Sequence, residues 1–68
     1  MKISARNRLK GKIVEVIKGA TTAHVRIDGG GSIVTAAITN ESVDELGLKV
    51  GGEAYAVIKA SDVMVGID

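Results

Sequence analysis

The 68-residue sequence has no cysteine, no proline and only one aromatic residue, Tyr55. Without cysteine the chain forms neither disulfides nor the usual thiolate zinc sites, and its one histidine, His24, cannot build a metal site alone. Chains shorter than about 70–80 residues usually need disulfides, a metal or oligomerisation to stabilise a small core. Oligomerisation is the means that remains, so we expect a homo-oligomer with no directly ligated metal.

Charge and hydropathy exclude two further classes of protein. The formal net charge is +1, from nine Lys and Arg against eight Asp and Glu, whereas nucleic-acid binders normally carry a clear basic excess. No apolar run approaches the roughly 20 residues of a membrane span, and no continuous apolar stretch follows Lys2 and Arg6 as it would in a signal peptide. We therefore expect a cytoplasmic protein whose partners include neither nucleic acid nor membrane.

Aliphatic side chains are what the sequence has in abundance. Hydrophobic residues make up 46% of the chain, and nearly all are Val, Ile, Ala and Leu, which favour strands. Residues 22–27 alternate between apolar and polar positions, whereas residues 9–17 and 32–39 are apolar on both faces. Strands with two apolar faces indicate a surface that meets another chain.

Turn and capping residues divide the chain into its predicted elements. The glycines at 29–31 are followed by a strand rather than a helix, which favours a hairpin over a phosphate-binding loop. Residues 40–46 are the only helical candidate, because Thr39 or Asn40 offers an N-cap and Gly47 fits the left-handed position after a helix. Two further strands are predicted at 53–59 and 63–67, and residues 1–6 are predicted to be a short strand or an arm.

This order of elements predicts a single domain over residues 1–68. A helix after the third of five short strands is typical of the OB fold. The expected fold is therefore all-β: an OB-like five-stranded barrel with one short helix after the third strand, and oligomeric.

No catalytic group is recognisable in the sequence. His24 lies between Thr22 and Arg26 on the polar face of a predicted strand, where a solvated side chain is the ordinary interpretation. The candidate carboxylates fall in turns or in the helix, which is ordinary surface placement: Asp28, Asp44, Glu45 and Asp62. Catalysis usually requires a nucleophile with a base, or a pair of tuned carboxylates. We therefore expect no enzymatic activity.

Two short segments concentrate hydrogen-bond donors and contain no acidic residue. The first is Ser4-Ala5-Arg6-Asn7, and the second is Lys59-Ala60-Ser61. Donors combined with Arg and Lys charge are what a tetrahedral dianion requires. From the pattern alone, solvated charges and turn residues are the simpler interpretation of both segments.

Three runs of residues resemble the molbindin family, whose Mop-type domain binds molybdate. They are Ile3-Ser4-Ala5-Arg6-Asn7 with Leu9-Lys10-Gly11 after it, the middle run at 40–47, and the ending at 55–66. Because all three occur in order, the resemblance covers the whole chain. It implies an OB-like barrel that assembles as a trimer of dimers, a homohexamer, and stores molybdate, and also tungstate, at subunit interfaces.

The resemblance also implies which residues hold the oxyanion. One class of site takes one segment from a subunit and the other from its neighbour: Ser4, Ala5, Arg6 and Asn7 with Lys59, Ala60 and Ser61. A second class lies near a threefold axis, and its candidates are Ala20, Thr21 and Thr22. The sequence departs from the family pattern at Arg8, where an uncharged glutamine is expected, and this arginine adds positive charge near the first site.

Two other functions stay open at this point. An OB-type nucleic-acid-binding module would need aromatic stacking platforms and a basic groove, whereas the chain has one tyrosine and a net charge of +1. A ligand-free structural assembly domain explains the apolar excess equally well, but it leaves the two donor-rich segments without a purpose. Thermal unfolding with and without molybdate separates the assembly domain from a molybdate-binding protein, and a salt-dependent shift of labelled single-stranded DNA would support the nucleic-acid-binding module.

Overall fold

A computed structural model describes residues 1–68 as four antiparallel strands and one short helix. The elements are β1 (Asn7–Lys18), β2 (Thr22–Gly29), β3 (Ser32–Thr39), α1 (Asn40–Leu46), β4 (Glu53–Ile58) and a 3-10 turn (Ala60–Asp62). The strands form one sheet in the order β3-β2-β1-β4. This sheet is half of a barrel, and β3 and β4 are its two open edges.

The predicted fifth strand at residues 63–67 is wrong. No regular secondary structure follows Asp62, and the side chains of Met64, Val65 and Ile67 are between 92% and 95% exposed. A strand exists only where its backbone groups find partners, and neither open edge of this sheet pairs with residues 63–68, which we call the C-terminal arm. Residues 1–6 also form an arm rather than a strand, so the five-stranded barrel is not closed within one chain.

Helix α1 and strand β3 have the predicted bounds, because local hydrogen bonds fix them. The hydroxyl oxygen of Thr39 accepts from the Ser42 amide at 3.0 Å, which caps the helix N-terminus. At the other end the Leu48 amide donates to the Val43 carbonyl at 3.0 Å, which is the Schellman pattern. The glycines after β2 form the predicted hairpin turn, in which Gly30 and Gly31 both have positive φ.

A β-bulge at Val14 changes which side chains of β1 face the core. Pairing with β2 is regular up to Ile13 and resumes at Glu15, which leaves Val14 without a partner. Beyond the bulge Val16 packs against the core, and Ile17 is 52% exposed. Strict alternation predicts Ile13, Glu15 and Ile17 on one face, and this prediction is wrong beyond Val14.

The core is small and lies on the inner face of the sheet. The predicted apolar face of β2 supplies half of it, which confirms the alternation in that strand. The six buried residues are Ile13, Ala23, Val25, Ile27, Val43 and Ala56. On the outer face Val14, Ile17 and Ile33 are between 44% and 53% exposed. The chain therefore presents apolar surface on both sides of its sheet.

Gly11 lies where β1 passes too close to β2 for a side chain to fit. A Cβ at this position would lie 2.2 Å from the Asp28 carbonyl oxygen and 2.9 Å from Cγ2 of Ile27. Gly11→Ala must therefore displace backbone, and overpacking of this kind costs about 1–3 kcal/mol. We expect at least that loss in the free energy of unfolding, measured by urea denaturation at one protein concentration. Gly66→Ala, where nothing lies within 4 Å, is the control, and equal stability of the two variants would contradict the close approach.

Candidate functional site

The first candidate site lies at the end of the sheet where β1 begins and β4 ends. Asn7 pairs with Ile58 in the strand register, and its Nδ2 donates to the Ile58 carbonyl at 3.2 Å. Residues 4–6 precede Asn7, and Lys59 follows Ile58. The two donor-rich segments of one chain thus leave the sheet side by side, whereas the resemblance implies that each site takes them from different subunits.

Most donors in these two segments have no acceptor within the chain. The amides of Ser4, Ala5, Arg6, Ala60 and Ser61 donate to no backbone or side-chain oxygen, and the hydroxyls of Ser4 and Ser61 make no hydrogen bond. The amide group of Asn7 is the exception, since its donor is used to tie β1 to the end of β4. Sequence reasoning missed the Ile58 carbonyl, because a pairing 51 residues apart leaves no local signal.

The charges at this site are not neutralised. Arg6 and Lys59 are exposed, and neither has an acidic partner. Asp62, which follows the second segment, is exposed and forms no ion pair. The three ion pairs of the structure are Lys10–Glu53, Lys18–Asp44 and Arg26–Glu15. The site therefore offers two free cations beside unpaired donors, which suits an anion that only accepts hydrogen bonds.

The second candidate site lies at the opposite end of β1, in the turn that leads to β2. The carbonyl of Thr21 accepts from the Asn40 amide at 2.9 Å, and the Thr22 carbonyl accepts from the Gly19 amide at 2.8 Å. The Asn40 side chain also donates to the Gly19 carbonyl at 2.9 Å. Helix α1 thus fixes the turn, while the amides of Ala20 and Thr21 and the hydroxyls of Thr21 and Thr22 stay exposed and unpaired.

Other kinds of site find no support in the geometry. No group of three or more His, Cys, Asp and Glu side chains is placed to hold a metal ion. The one α-helix has seven residues, so no helix is long and apolar enough to cross a membrane. The donor-rich segments at the two ends of the sheet therefore remain as the candidate sites.

A model of the TOBE domain matches residues 3–65. The chain belongs to the TOBE domain family. Among its TOBE relatives is a probable molybdenum-pterin-binding protein of Haemophilus influenzae, which is 54% identical over 69 aligned positions and covers 100% of both chains. This level of identity over the whole chain confirms the resemblance drawn from the three sequence runs.

Two solved structures extend the TOBE comparison to three dimensions. A molybdate-binding protein from Sporomusa ovata is 39% identical with a TM-score of 0.93, covering 98% of this chain and 100% of that one. The cytoplasmic molybdate-binding protein ModG, with molybdate bound, is 45% identical with a TM-score of 0.94, covering 100% of this chain and 49% of that one. The TOBE match includes both candidate sites, and the relatives are named as binding proteins rather than enzymes.

Proposed function

We propose that this protein binds and stores molybdate, and also tungstate, in the cytoplasm, and that it catalyses no reaction. The observation that carries the proposal is the meeting of two donor-rich, acid-free segments at one end of the sheet. The names of the TOBE relatives support molybdenum as the element, and the description of ModG supports the compartment. In this function residues 1–68 act as one domain.

Each residue of the first site has a distinct role in this proposal. Ser4 and Ser61 donate hydroxyl hydrogen bonds, and the small side chains of Ala5 and Ala60 let backbone amides approach the oxygens. Arg6 of one copy and Lys59 of its neighbour supply the positive charge, and Asn7 anchors the first segment to the end of β4 in its own chain through the Ile58 carbonyl. The turn formed by Ala20, Thr21 and Thr22 is the second, separate site of the proposal.

The chemistry of the donors accounts for selectivity against phosphate. A pocket of donors alone disfavours a protonated oxyanion, because the O–H of the ligand would face another donor. Phosphate groups carry a proton on part of their population near neutral pH, whereas molybdate is fully ionised there. Sulfate is also fully ionised but smaller, so the size of the cavity must exclude it.

Two apolar surfaces support the assembly as a trimer of dimers. A groove of about 510 Å³ runs along the inner face between β3 and β4, and 11 of its 12 lining residues are hydrophobic. In the proposal, the C-terminal arm of a second copy lies in this groove, since six extended residues span about 20 Å. The outer apolar face at Val14, Ile17 and Ile33 supplies the second contact that a closed assembly of dimers requires.

Native mass spectrometry with molybdate titrated into the purified protein tests the proposed function, with sulfate as the control. We expect a hexamer that gains several molybdates and no sulfates, because the sites lie between copies. A monomer that gains no molybdate would overturn the proposal, and an oligomer indifferent to molybdate would leave a ligand-free assembly domain as the better account.

A further inference from the structure

The net charge of +1 conceals a strong separation of charge along the chain. Residues 1–14 contain five cationic side chains and no acidic one: Lys2, Arg6, Arg8, Lys10 and Lys12. The rest of the chain contains four cationic and eight acidic side chains. The side-chain charge is therefore +5 in the first 14 residues and −4 in the others, which together give the +1.

Three of these cations form a row on one face of β1. Arg8, Lys10 and Lys12 alternate along the strand, so they point to the same side, about 7 Å apart. All three are exposed, and we call them the basic row. Two acidic residues lie opposite the row: Glu53 on β4, whose carboxylate is 3.6 Å from the Lys10 ammonium, and Asp28 on β2, which pairs with Lys12. Arg8 has no acidic residue opposite it, so the row is most positive at its Arg8 end.

The basic row leads towards the first candidate site. It begins at Lys12, near the middle of β1, and ends at Arg8, directly after Asn7. Arg6 lies just beyond that end, and Lys59 follows the residue that pairs with Asn7. Cationic side chains therefore follow the strand for about 20 Å, and their charge is least offset by acids at the end where the donors converge.

We propose that the basic row is an electrostatic guide that steers the oxyanion to Arg6 and Lys59 and sets its association rate without contacting the bound ion. This inference rests on the proposed function. A dianion about 12 Å from one cation gains about twofold in association rate at 10 mM salt, where the Debye length is about 30 Å. Above about 0.3 M salt the Debye length is shorter than the spacing of the row, so the gain disappears.

Charge-neutralising variants test the guide, with molybdate binding rates taken from kinetic titration calorimetry at 10 mM and 300 mM potassium chloride. We expect Lys10→Gln/Lys12→Gln to lower the association rate about threefold at 10 mM and to leave it unchanged at 300 mM. Glu53→Gln should raise the association rate about twofold at 10 mM, because it removes one of the two acidic side chains opposite the row. Lys49→Gln is the control, since Lys49 is exposed, forms no ion pair and lies outside the row.

The dissociation rate separates guidance from direct contact. A guide leaves the dissociation rate of every variant within about twofold of the wild type, because distant charges act mainly on the encounter. Association rates that match the wild type at 10 mM salt, or a faster dissociation in Lys10→Gln/Lys12→Gln, would overturn the guide. A wild-type protein that binds no molybdate would instead overturn the proposed function, so the two failures are distinguishable.

Discussion

An oligomer assembled from equal amounts of Arg6→Ala and Lys59→Ala chains should regain molybdate sites that neither variant forms alone. Suppose that each site takes its first segment, which contains Arg6, from one copy and its second segment, which contains Lys59, from another. A site is then intact when the first segment comes from a Lys59→Ala chain and the second comes from an Arg6→Ala chain. Random assembly produces such a site about one time in four. If both segments came from one chain, every site in the mixture would lack one cation.

Each variant alone should bind molybdate about ten- to a hundredfold more weakly, because a hydrogen bond to a charged group is worth about 1.5–3 kcal/mol. Both should still fold, since Arg6 and Lys59 are exposed and make no ion pair. Titration calorimetry of each variant, and of the mixture after joint unfolding and refolding, measures the affinity and the number of sites. Lys49→Ala is the matched control. Unchanged affinity in both variants would refute the site, and a mixture with no strong sites would place both segments in one chain.

Val65→Asp should convert the oligomer into smaller species. Val65 is 92% exposed in the single chain, so a carboxylate costs nothing there, but in the groove of a second copy it would be buried without a partner. Burying an unpaired charge costs several kcal/mol. Sedimentation velocity at micromolar concentration should therefore show loss of the wild-type oligomer. If molybdate binds between copies, as proposed, adding it should restore part of the assembly by mass action.

Val50→Asp is the control for the arm variant. Val50 is an exposed valine, 63% accessible, in the turn before β4, and it does not line the groove. The Val50→Asp variant should therefore have the same sedimentation coefficient as the wild type. If Val65→Asp sedimented as the wild-type oligomer does, the arm would not be the contact between copies.

The elements that sequence could predict are those fixed by neighbouring residues. Helix α1 has a capping threonine and a glycine just beyond its end, and both make the expected local bonds. Strand β2 alternates strictly, and its apolar residues are the ones buried. In these elements the local preferences and the tertiary packing agree, so the pattern suffices.

The features that sequence could not predict depend on partners distant in the chain. Residues 63–67 have the composition of a strand, yet no edge of the same chain pairs with them, and a pattern cannot tell which chain supplies the partner. The bulge at Val14 lies in a run that is apolar on both faces, so the hydrophobic pattern does not show where the alternation changes. The pattern of donors singles out the two segments of the candidate site and a family resemblance assigns them a ligand, but only the pairing of Asn7 with Ile58 puts them side by side.

The bulge at Val14 also decides where this chain can change its length during evolution. Deleting Val14 itself would remove the bulge and leave Val16 opposite Val25, still facing the core, whereas deleting a residue after Glu15 would shift the register by one and exchange the inner and outer faces of the remaining strand. The turn at Gly30 and Gly31 lies in open space, where even a Cβ would meet no atom within 4 Å, so a longer turn can be accommodated there. Length differences among natural relatives should therefore fall in that turn, in the two arms and at the bulge, while the rest of β1 keeps a constant length even where its sequence diverges.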